Sequence, residues 1–390
     1  MEFVVRVPAW TPANSAVFVT GSRRELGLWR PDAVRLRRHR DGTWRGRVRL
    51  EDTTPFQFKV TLGRWDRVEK DAQGRDIPNR EWSTARGETL QVEVKGWGEP
   101  YVAPHTVVGE LHAHERFYSR HLRNTRTVWV WVPPDYAVSE EVRYPVLYMH
   151  DGQNLFDAAR AAFGVEWGVD EACWEGIRAG TIRPCIVVGM ENTPDRFGEY
   201  TPTAAGGVGG RAPEYGRMIV EEVKELVDST YRTLPDVSNT FVAGSSLGGL
   251  VSLFLLREYP DVFGGCGAVS PSLWWDGESF LKEAERAARW AKGKRVWLDM
   301  GTAESGWGSE GAHVVRTLRM KSALVRAGLK EGEDLICRIV EGADHSEAAW
   351  SRRVGDMIRH LIGPPRPTQC GTMEGAANAV APDRSSHGRG

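Results

Sequence analysis

The stretch Gly244-Ser245-Ser246-Leu247-Gly248 sets one serine midway between two glycines, in the spacing G-x-S-x-G. A serine hydroxyl becomes a useful nucleophile when a base takes its proton and N–H donors receive the charge that develops on the attacked carbonyl. The spacing carries meaning through its flanks. The apolar run "TFVAG" (240–244) precedes it, and a helical pattern with Leu250, Val251, Phe254 and Leu255 follows. Strand, sharp turn and helix are what a nucleophile elbow needs, and the small flanking residues let the chain reverse while the serine is held in a strained conformation. Only Ser246 is central between the framing glycines, at a helix N-terminus that favours an oxyanion. Taken alone, the pentapeptide reads equally well as a glycine-rich bend.

The serine needs a base and the base needs an orienting acid. Of ten histidines, His345 stands out. It lies in "RIVEGADHSEAAW", directly after the last apolar strand and before the terminal helix, which is where the order Ser, acid, His places a base. His112 and His114 sit two apart on a strand with no evident third ligand, so they read as surface residues rather than a metal pair. His150 precedes an Asp-Gly turn and reads as structural. Among the acids, Glu304 falls in the loop beyond the strand "RVWLDMG" and is preferred. Asp299 points into that strand and reads as a satisfied polar residue of the sheet. Asp344 adjoins His345 and is a poor orienter, since sequence neighbours rarely face each other. Two N–H groups should form the oxyanion hole: that of Leu247, and that of Gln153, or Gly152 beside it, in "YMHDGQNLFD".

These residues need a scaffold. Residues 1–96 read as all-β: Trp44, Gly46, Val48 and Leu50 alternate with arginines, and Phe56, Phe58, Val60 and Leu62 alternate with polar residues, the period of half-buried strands. Asp41-Gly42 signals a hairpin. Residues 97–104, rich in Gly and Pro, read as a linker. From 105 to 363, short apolar runs (127–132, 145–150, 185–190, 240–244, 266–270, 295–301, 335–340) alternate with helical stretches, among them a stripe of Tyr215, Met218, Ile219, Val223, Leu226 and Val227. That alternation implies an α/β fold with a mostly parallel central sheet. Residues 364–390 lack any periodic apolar pattern and are expected to be disordered.

The bulk composition narrows the class. Of 390 residues, 41% are hydrophobic and 26% charged, with a formal net charge of −1. Nothing global points to nucleic acid or to an anionic membrane. The first domain is basic, with 19 Lys and Arg against 13 Asp and Glu in residues 1–96; the bias would suit an anionic partner, and a solvated strand face is the blander reading. Five scattered cysteines show neither CxxC spacing nor a disulfide framework. With no basic leader and no long apolar run, this suggests a cytoplasmic setting.

The runs "YPVLYMHDGQNLFD", "VVGMENTPDRFGEYTP", "GSSLGGL", "AVSPSLWW", "LDMGTAES" and "GADHSEAAW" occur in the order seen in the esterase D-like family of α/β-hydrolases, and residues 105–362 resemble that family. The resemblance implies Ser246, Glu304 and His345 as a catalytic triad. Many relatives carry Asp where this chain has Glu304. It also implies that Trp274 and Trp275 border the acyl pocket and that Arg196 and Tyr200 lie near the substrate; scaffold packing is the other reading of these four. The first domain, through "VFVTGSRRELGLWRPDAVRL", "FQFKV" and "IPNREW", is similar to starch-binding-type carbohydrate modules, a small β-sandwich. That similarity maps sugar contacts onto Trp29, Lys59 and Asn79. The second stacking Trp of the pattern is missing before Asn79, and Trp65 is the candidate substitute or else a core residue. Without sugar binding, the module would be a lid or a dimer surface, making a homo-oligomer.

The expected activity is serine carboxylic ester hydrolysis through an acyl-enzyme, on a small-molecule ester linked to a sugar or siderophore. No metal or organic cofactor is called for. An acyltransferase with the same residues, a serine peptidase of the same fold, or a carbohydrate-binding protein with an inactive hydrolase domain remain as alternatives.

Overall fold

The structure is a computed structural model that describes residues 1–364 except 13, 51, 99–103, 163 and 305–310. The tail expected to be disordered lies outside the described residues from 365 onward, as does most of the expected linker.

The N-terminal part is built from two four-stranded sheets. In one, Glu2–Arg6 lies between Trp44–Arg47 and Thr89–Glu93, with Arg37–Arg38 at the edge; in the other, Phe18–Gly21 and Phe56–Thr61 are central, flanked by Val34–Arg35 and Arg80–Trp82. Phe3 and Val5 from the first sheet meet Val19, Phe56, Phe58 and Val60 from the second in a buried core. The linker reading needs correction at its start. Gly96–Trp97 is a strand paired with Glu69–Lys70, Trp97 is 3% exposed, and the Gly98 N–H donates to the Val68 carbonyl at 2.8 Å. The glycines that read as linker allow close backbone packing instead: a Cβ at Gly98 would lie 2.4 Å from the Asp66 carbonyl oxygen.

The larger part is an eight-stranded sheet. Its strands are β1 (Glu110–Ser119), β2 (Asn124–Val132), β3 (Val146–His150), β4 (Ile186–Met190), β5 (Thr240–Ser245), β6 (Gly265–Val269), β7 (Arg295–Gly301) and β8 (Leu335–Val340). They lie in the spatial order β1-β2-β4-β3-β5-β6-β7-β8. β1 and β2 are antiparallel to their neighbours, and every pair from β4 to β8 is parallel. The longer helices among the described residues are α1 (Val169–Arg178), α2, α3 (Leu247–Glu258), α4 (Trp275–Arg286), α5 (Ala312–Arg326) and α6 (Glu347–Ile362), beside a single turn, Arg196–Glu199. α2 runs from Ala212–Arg217 through a π-helical segment, Met218–Val223, into Lys224–Thr230.

Both faces of the sheet are covered, and the strand period of two assigns the side chains. Val128, Val130, Val132, Val146 and Tyr148 point to the face carrying α2, α3, α4 and α5. Trp129, Trp131, Leu147 and Met149 point to the face carrying α1 and α6. α3 is buried nearly all round, so it is apolar all round. α6 is amphipathic instead: Trp350, Val354, Met357, Ile358 and Leu361 form its buried stripe, and burial of each contributes roughly 1.5–3 kcal/mol. At its start Ser346 caps the helix, its Oγ accepting from the Ala349 N–H at 3.3 Å. The cap fixes where α6 begins and so fixes the residue before it, His345.

Candidate active site

β5 ends at Ser245 and α3 begins at Leu247, leaving Ser246 alone at the turn with φ 58° and ψ −121°. For a residue with a Cβ this is a strained conformation. The framing glycines permit it. A Cβ at Gly244 would lie 2.8 Å from the His150 ring and 3.1 Å from the Gly248 backbone. The Ser246 N–H is anchored on the Val269 carbonyl at 2.9 Å, and its own carbonyl accepts from Ser272 N–H at 3.0 Å. Ser245 is a buried β5 residue paired with Val269 of β6.

Glu304 and His345 come from the loops after β7 and β8. Those loops are zipped together: Thr302 N–H donates to the Val340 carbonyl and Ala303 N–H to the Ala343 carbonyl, both at 3.0 Å. Gly301 allows the close approach, since a Cβ there would lie 2.1 Å from the Ala343 oxygen. His345 Nδ1 then meets Glu304 Oε2 at 2.8 Å. A carboxylate only accepts, so Nδ1 carries the proton and Nε2 of the neutral ring is free to act as a base.

Glu304 Oε1 accepts from Ser270 Oγ at 2.5 Å and from Gly301 N–H at 3.0 Å. Burial opposes ionisation of Glu304, but the His345, Ser270 and Gly301 hydrogen bonds outweigh it and hold the carboxyl below its usual value. The two rival acids are engaged elsewhere. Asp299, fully buried, accepts from Trp297 Nε1 at 2.7 Å and pairs with Arg353 at 3.2 Å; burial pushes its carboxyl up to about 6. Asp344 accepts from Ser346 Oγ at 2.6 Å.

One short segment joins the two halves of the site. Ser270, itself at φ 44°, holds Glu304, and two residues on, Ser272 Oγ lies 3.2 Å from Ser246 Oγ. Among the described residues no hydrogen bond joins Ser246 to His345; such bonds commonly tighten only when substrate arrives. Trp350 stands edge-on to the His345 ring at 4.9 Å and donates from Nε1 to Ser270 Oγ at 3.1 Å. Ser270, Ser272 and Trp350 escaped the sequence reading. Their signal was present in "SPSLWW" and "HSEAAW", but it was attached to the tryptophans of the first run and the histidine of the second.

The expected oxyanion donors sit on facing elements. Leu247 opens α3, and Gln153 lies in the 3-10 turn Gly152–Asn154 after β3. Gly152 packs on β4, where a Cβ would meet the Gly189 carbonyl carbon at 2.6 Å. Before it, Asp151, in the left-handed region at φ 59°, is clamped by Arg196: Nε to Oδ1 at 2.7 Å and Nη2 to Oδ2 at 2.8 Å. Burial would raise the Asp151 carboxyl, and Arg196 and Asn192 more than reverse that. Beneath the elbow, His150 is buried with Nδ1 on Tyr215 Oη at 2.9 Å, and burial pulls its pKa down to about 3.

Two expected substrate contacts are corrected here. Tyr200 has no exposed surface; its hydroxyl accepts from the Asp151 N–H at 3.2 Å and its ring packs on Tyr215 at 4.9 Å. Trp275 is 6% exposed, with Nε1 on the Thr203 carbonyl at 2.9 Å and its ring against Phe197. Both are scaffold. Trp274, half-buried beside Trp275 at 5.9 Å, and Arg196, also half-buried, keep a surface to offer. Glu347, at the first position of α6, was not foreseen; burial first, with a further push from the Asp151 charge, raises its carboxyl to about 7. His112 and His114 both meet the Tyr231 hydroxyl, at 3.1 and 2.8 Å.

In the first domain, Trp29 and Trp65 lie with ring centroids 6.4 Å apart, both half-buried. Lys59 is 8% exposed and its ammonium is engaged by the Ile77 carbonyl, which removes it from any sugar in this conformation. Asn79 is exposed and donates to Gln57 Oε1 at 3.3 Å.

An α/β-hydrolase sheet with a strained serine at its elbow defines a class, and comparison with known proteins supplies the family. Residues 119–361 match the family described as "Putative esterase", and residues 1–94 match the starch binding domain family. The chain belongs to that esterase family and is a carboxylic ester hydrolase carrying a starch-binding-type domain at its N-terminal side. Over 256 residues it is 28% identical to the iron(III) salmochelin esterase of Escherichia coli O6:H1, covering 61% of this chain and 55% of that one. It is 25% identical over 265 residues to an endo-1,4-beta-xylanase/feruloyl esterase of Xylanibacter ruminicola, covering 63% of this chain and 30% of that one. Among solved structures, the enterobactin esterase of Shigella flexneri in the presence of enterobactin shares the fold with a TM-score of 0.52 at 16% identity, over 92% of each chain.

Proposed function

We propose that the chain hydrolyses esters linked to a sugar or a siderophore, through an acyl-enzyme on Ser246. His345 Nε2 takes the serine proton as Oγ attacks the ester carbonyl. The N–H groups of Leu247 and Gln153 hold the oxyanion of the tetrahedral intermediate, and Glu304 keeps the imidazole in its working tautomer and stabilises its cation. Collapse expels the alcohol, which takes the proton from His345. Water then attacks the acyl-enzyme, with the same imidazole as base. The observation that carries this reading is Ser246 at φ 58° with its Oγ 3.2 Å from Ser272, on the same short segment whose Ser270 holds the His345-bound carboxylate. The substrate class is drawn from relatives whose names are those of siderophore and feruloyl esterases.

An active-site fluorophosphonate tests the nucleophile. It should label the wild type and leave Ser246→Ala unlabelled, and that variant should lose p-nitrophenyl ester turnover by 10³-fold or more. Equal labelling of the two proteins overturns the assignment. A panel of acetylated sugars, feruloyl esters and catecholate trilactones on the same pair separates the substrate classes.

A further inference from the structure

A second cluster of chemistry lies outside the esterase site, where the chain enters α1. Glu166, Asp170 and Glu171 each bring a carboxylate oxygen to within 4.8 Å of the other two. Asp170 is fully buried. Glu166 Oε2, Asp170 Oδ1 and Glu171 Oε2 are all shut off from solvent without a hydrogen-bond partner. The opposite oxygens of two of these groups are engaged: Glu166 Oε1 accepts from Thr106 Oγ1, and Asp170 Oδ2 accepts from the Val108 N–H at 2.7 Å. Gly168, at φ +64°, leaves the space; a Cβ there would lie 3.3 Å from Glu171 Oε2.

Buried carboxylates facing one another without partners are unstable as free anions. Either a shared proton or a cation must resolve the repulsion. The donors are all hard oxygens, which suit calcium or magnesium and not zinc or copper. The three oxygens all lie within 4.8 Å of one another, so one ion can reach them together; three carboxylates suit calcium, which takes six to eight oxygen ligands, better than magnesium, which keeps its waters and is usually held by one or two carboxylates.

We propose that Glu166, Asp170 and Glu171 bind a hard divalent cation, calcium by the number of its carboxylate ligands, that braces the loop behind the esterase site. The cation is structural and takes no part in the reaction. Its place in the chain sets what it does. The loop opens at the expected oxyanion donor Gln153 and closes at the cluster, with Trp167 N–H returning to the Asn154 carbonyl at 2.9 Å. Trp167 packs on Trp350 at 5.7 Å, and Trp350 stands against His345. Thr106 and Val108, whose contacts with the cluster are given above, belong to the segment that enters the hydrolase domain; that segment is also tied to the loop by His105 on Asp157 at 2.7 Å.

The test uses the full chain, stripped with chelator and dialysed, titrated calorimetrically with CaCl₂ and separately with MgCl₂ at pH 7.5. Calcium should bind with one-to-one stoichiometry and a Kd below about 1 mM and raise the melting temperature. Magnesium should bind at least about ten-fold more weakly. Asp170→Asn and Glu171→Gln should each weaken calcium at least about ten-fold. Both should fold without metal by circular dichroism, because each removes a buried charge. Absence of heat and of thermal shift at about 10 mM calcium, far above the weakest protein sites, overturns the proposal. So does wild-type affinity in Asp170→Asn, and stabilisation by acid alone with no calcium response identifies the shared proton instead. Equal magnesium binding overturns the choice of calcium.

Discussion

Glu304→Gln is the sharpest probe of the site, because three donors converge on that carboxylate: Ser270 Oγ at 2.5 Å, Gly301 N–H at 3.0 Å and His345 Nδ1 at 2.8 Å. A glutamine has one acceptor oxygen and one NH₂. The backbone N–H of Gly301 cannot reverse, so the amide oxygen must face it and the NH₂ must face His345. Nδ1 then becomes an acceptor, and the ring proton moves to Nε2, the atom that has to take the proton from Ser246. The imidazolium also loses its counter-charge. Together these should lower kcat by about 10³–10⁴, or ~4–5.5 kcal/mol in activation free energy. Asp299→Asn is the contrast. It leaves the Arg353 guanidinium, 3.2 Å away and buried, without its anion, which costs about 3 kcal/mol of stability; kcat of the folded protein should stay within about ten-fold of wild type, since no reacting group changes. Steady-state p-nitrophenyl acetate hydrolysis at pH 7.5, corrected by fluorophosphonate titration, and urea unfolding separate the two effects. If Glu304→Gln keeps more than about a tenth of the wild-type kcat, or Asp299→Asn loses as much as it does, the orienting acid has been misassigned.

Three further outcomes are expected. Gly301→Ala forces a Cβ to 2.1 Å from the Ala343 oxygen, so it should part the two zipped loops and cut kcat by at least about 100-fold, in line with the cost of misplaced catalytic groups; near-normal kcat shows that the loops can slide. His150 titrates near pH 3 when folded against an ordinary value of 6.5. The unfolded chain therefore binds the extra proton between those values, and stability is full above about pH 6.5 and falls as pH drops toward 3. The fall should reach roughly 3 kcal/mol by about pH 4.5; urea unfolding at pH 7 and 4.5 should show a smaller loss in His150→Gln, and an equal loss removes His150 from the acid response. In the first domain, retention on immobilised starch should be present in the wild type and abolished in Trp29→Ala, as expected for a stacking residue; a wild type that flows straight through excludes a starch-binding role.

Much of this architecture can be read along the chain. The apolar runs coincide with β2 to β8, and those of β3 to β6 stand out because strands buried on both faces leave few polar positions to blur them, as in "CIVVGM". The stretch beginning at Thr240 announces its elbow because Gly244 has no tolerable substitute where a Cβ would meet the His150 ring and the Gly248 backbone. Other features depend on contacts that sequence order does not display. Ser270 supports Glu304 across 34 positions and receives Arg353 across 83. Tyr200 lies in a polar run, "RFGEYTP", that reads as accessible, yet its ring is folded under Asp151. Lys59 alternates with apolar residues as a solvent-facing lysine would, but its strand turns it toward the Ile77 carbonyl. Trp97 was hidden by its neighbours, since glycine and proline signal a linker and close backbone packing equally well. Glu166, Asp170 and Glu171 look like the solvated acidic start of a helix, because burial of a carboxylate leaves no mark in the sequence.

The backbone of Ser246 has a consequence for the history of the chain. A serine at φ 58° and ψ −121° lives where only glycine is at ease, at a cost of about 1–3 kcal/mol. Glycine at 246 would relieve that strain and return part of the gain through a floppier unfolded chain, about 0.4–1 kcal/mol, for a net gain of about 1 kcal/mol. Stability and reaction therefore pull in opposite directions at a single codon. A lineage released from turning over esters has a downhill step open to it there, and a descendant with glycine at this position would be the sturdier protein and an inert one.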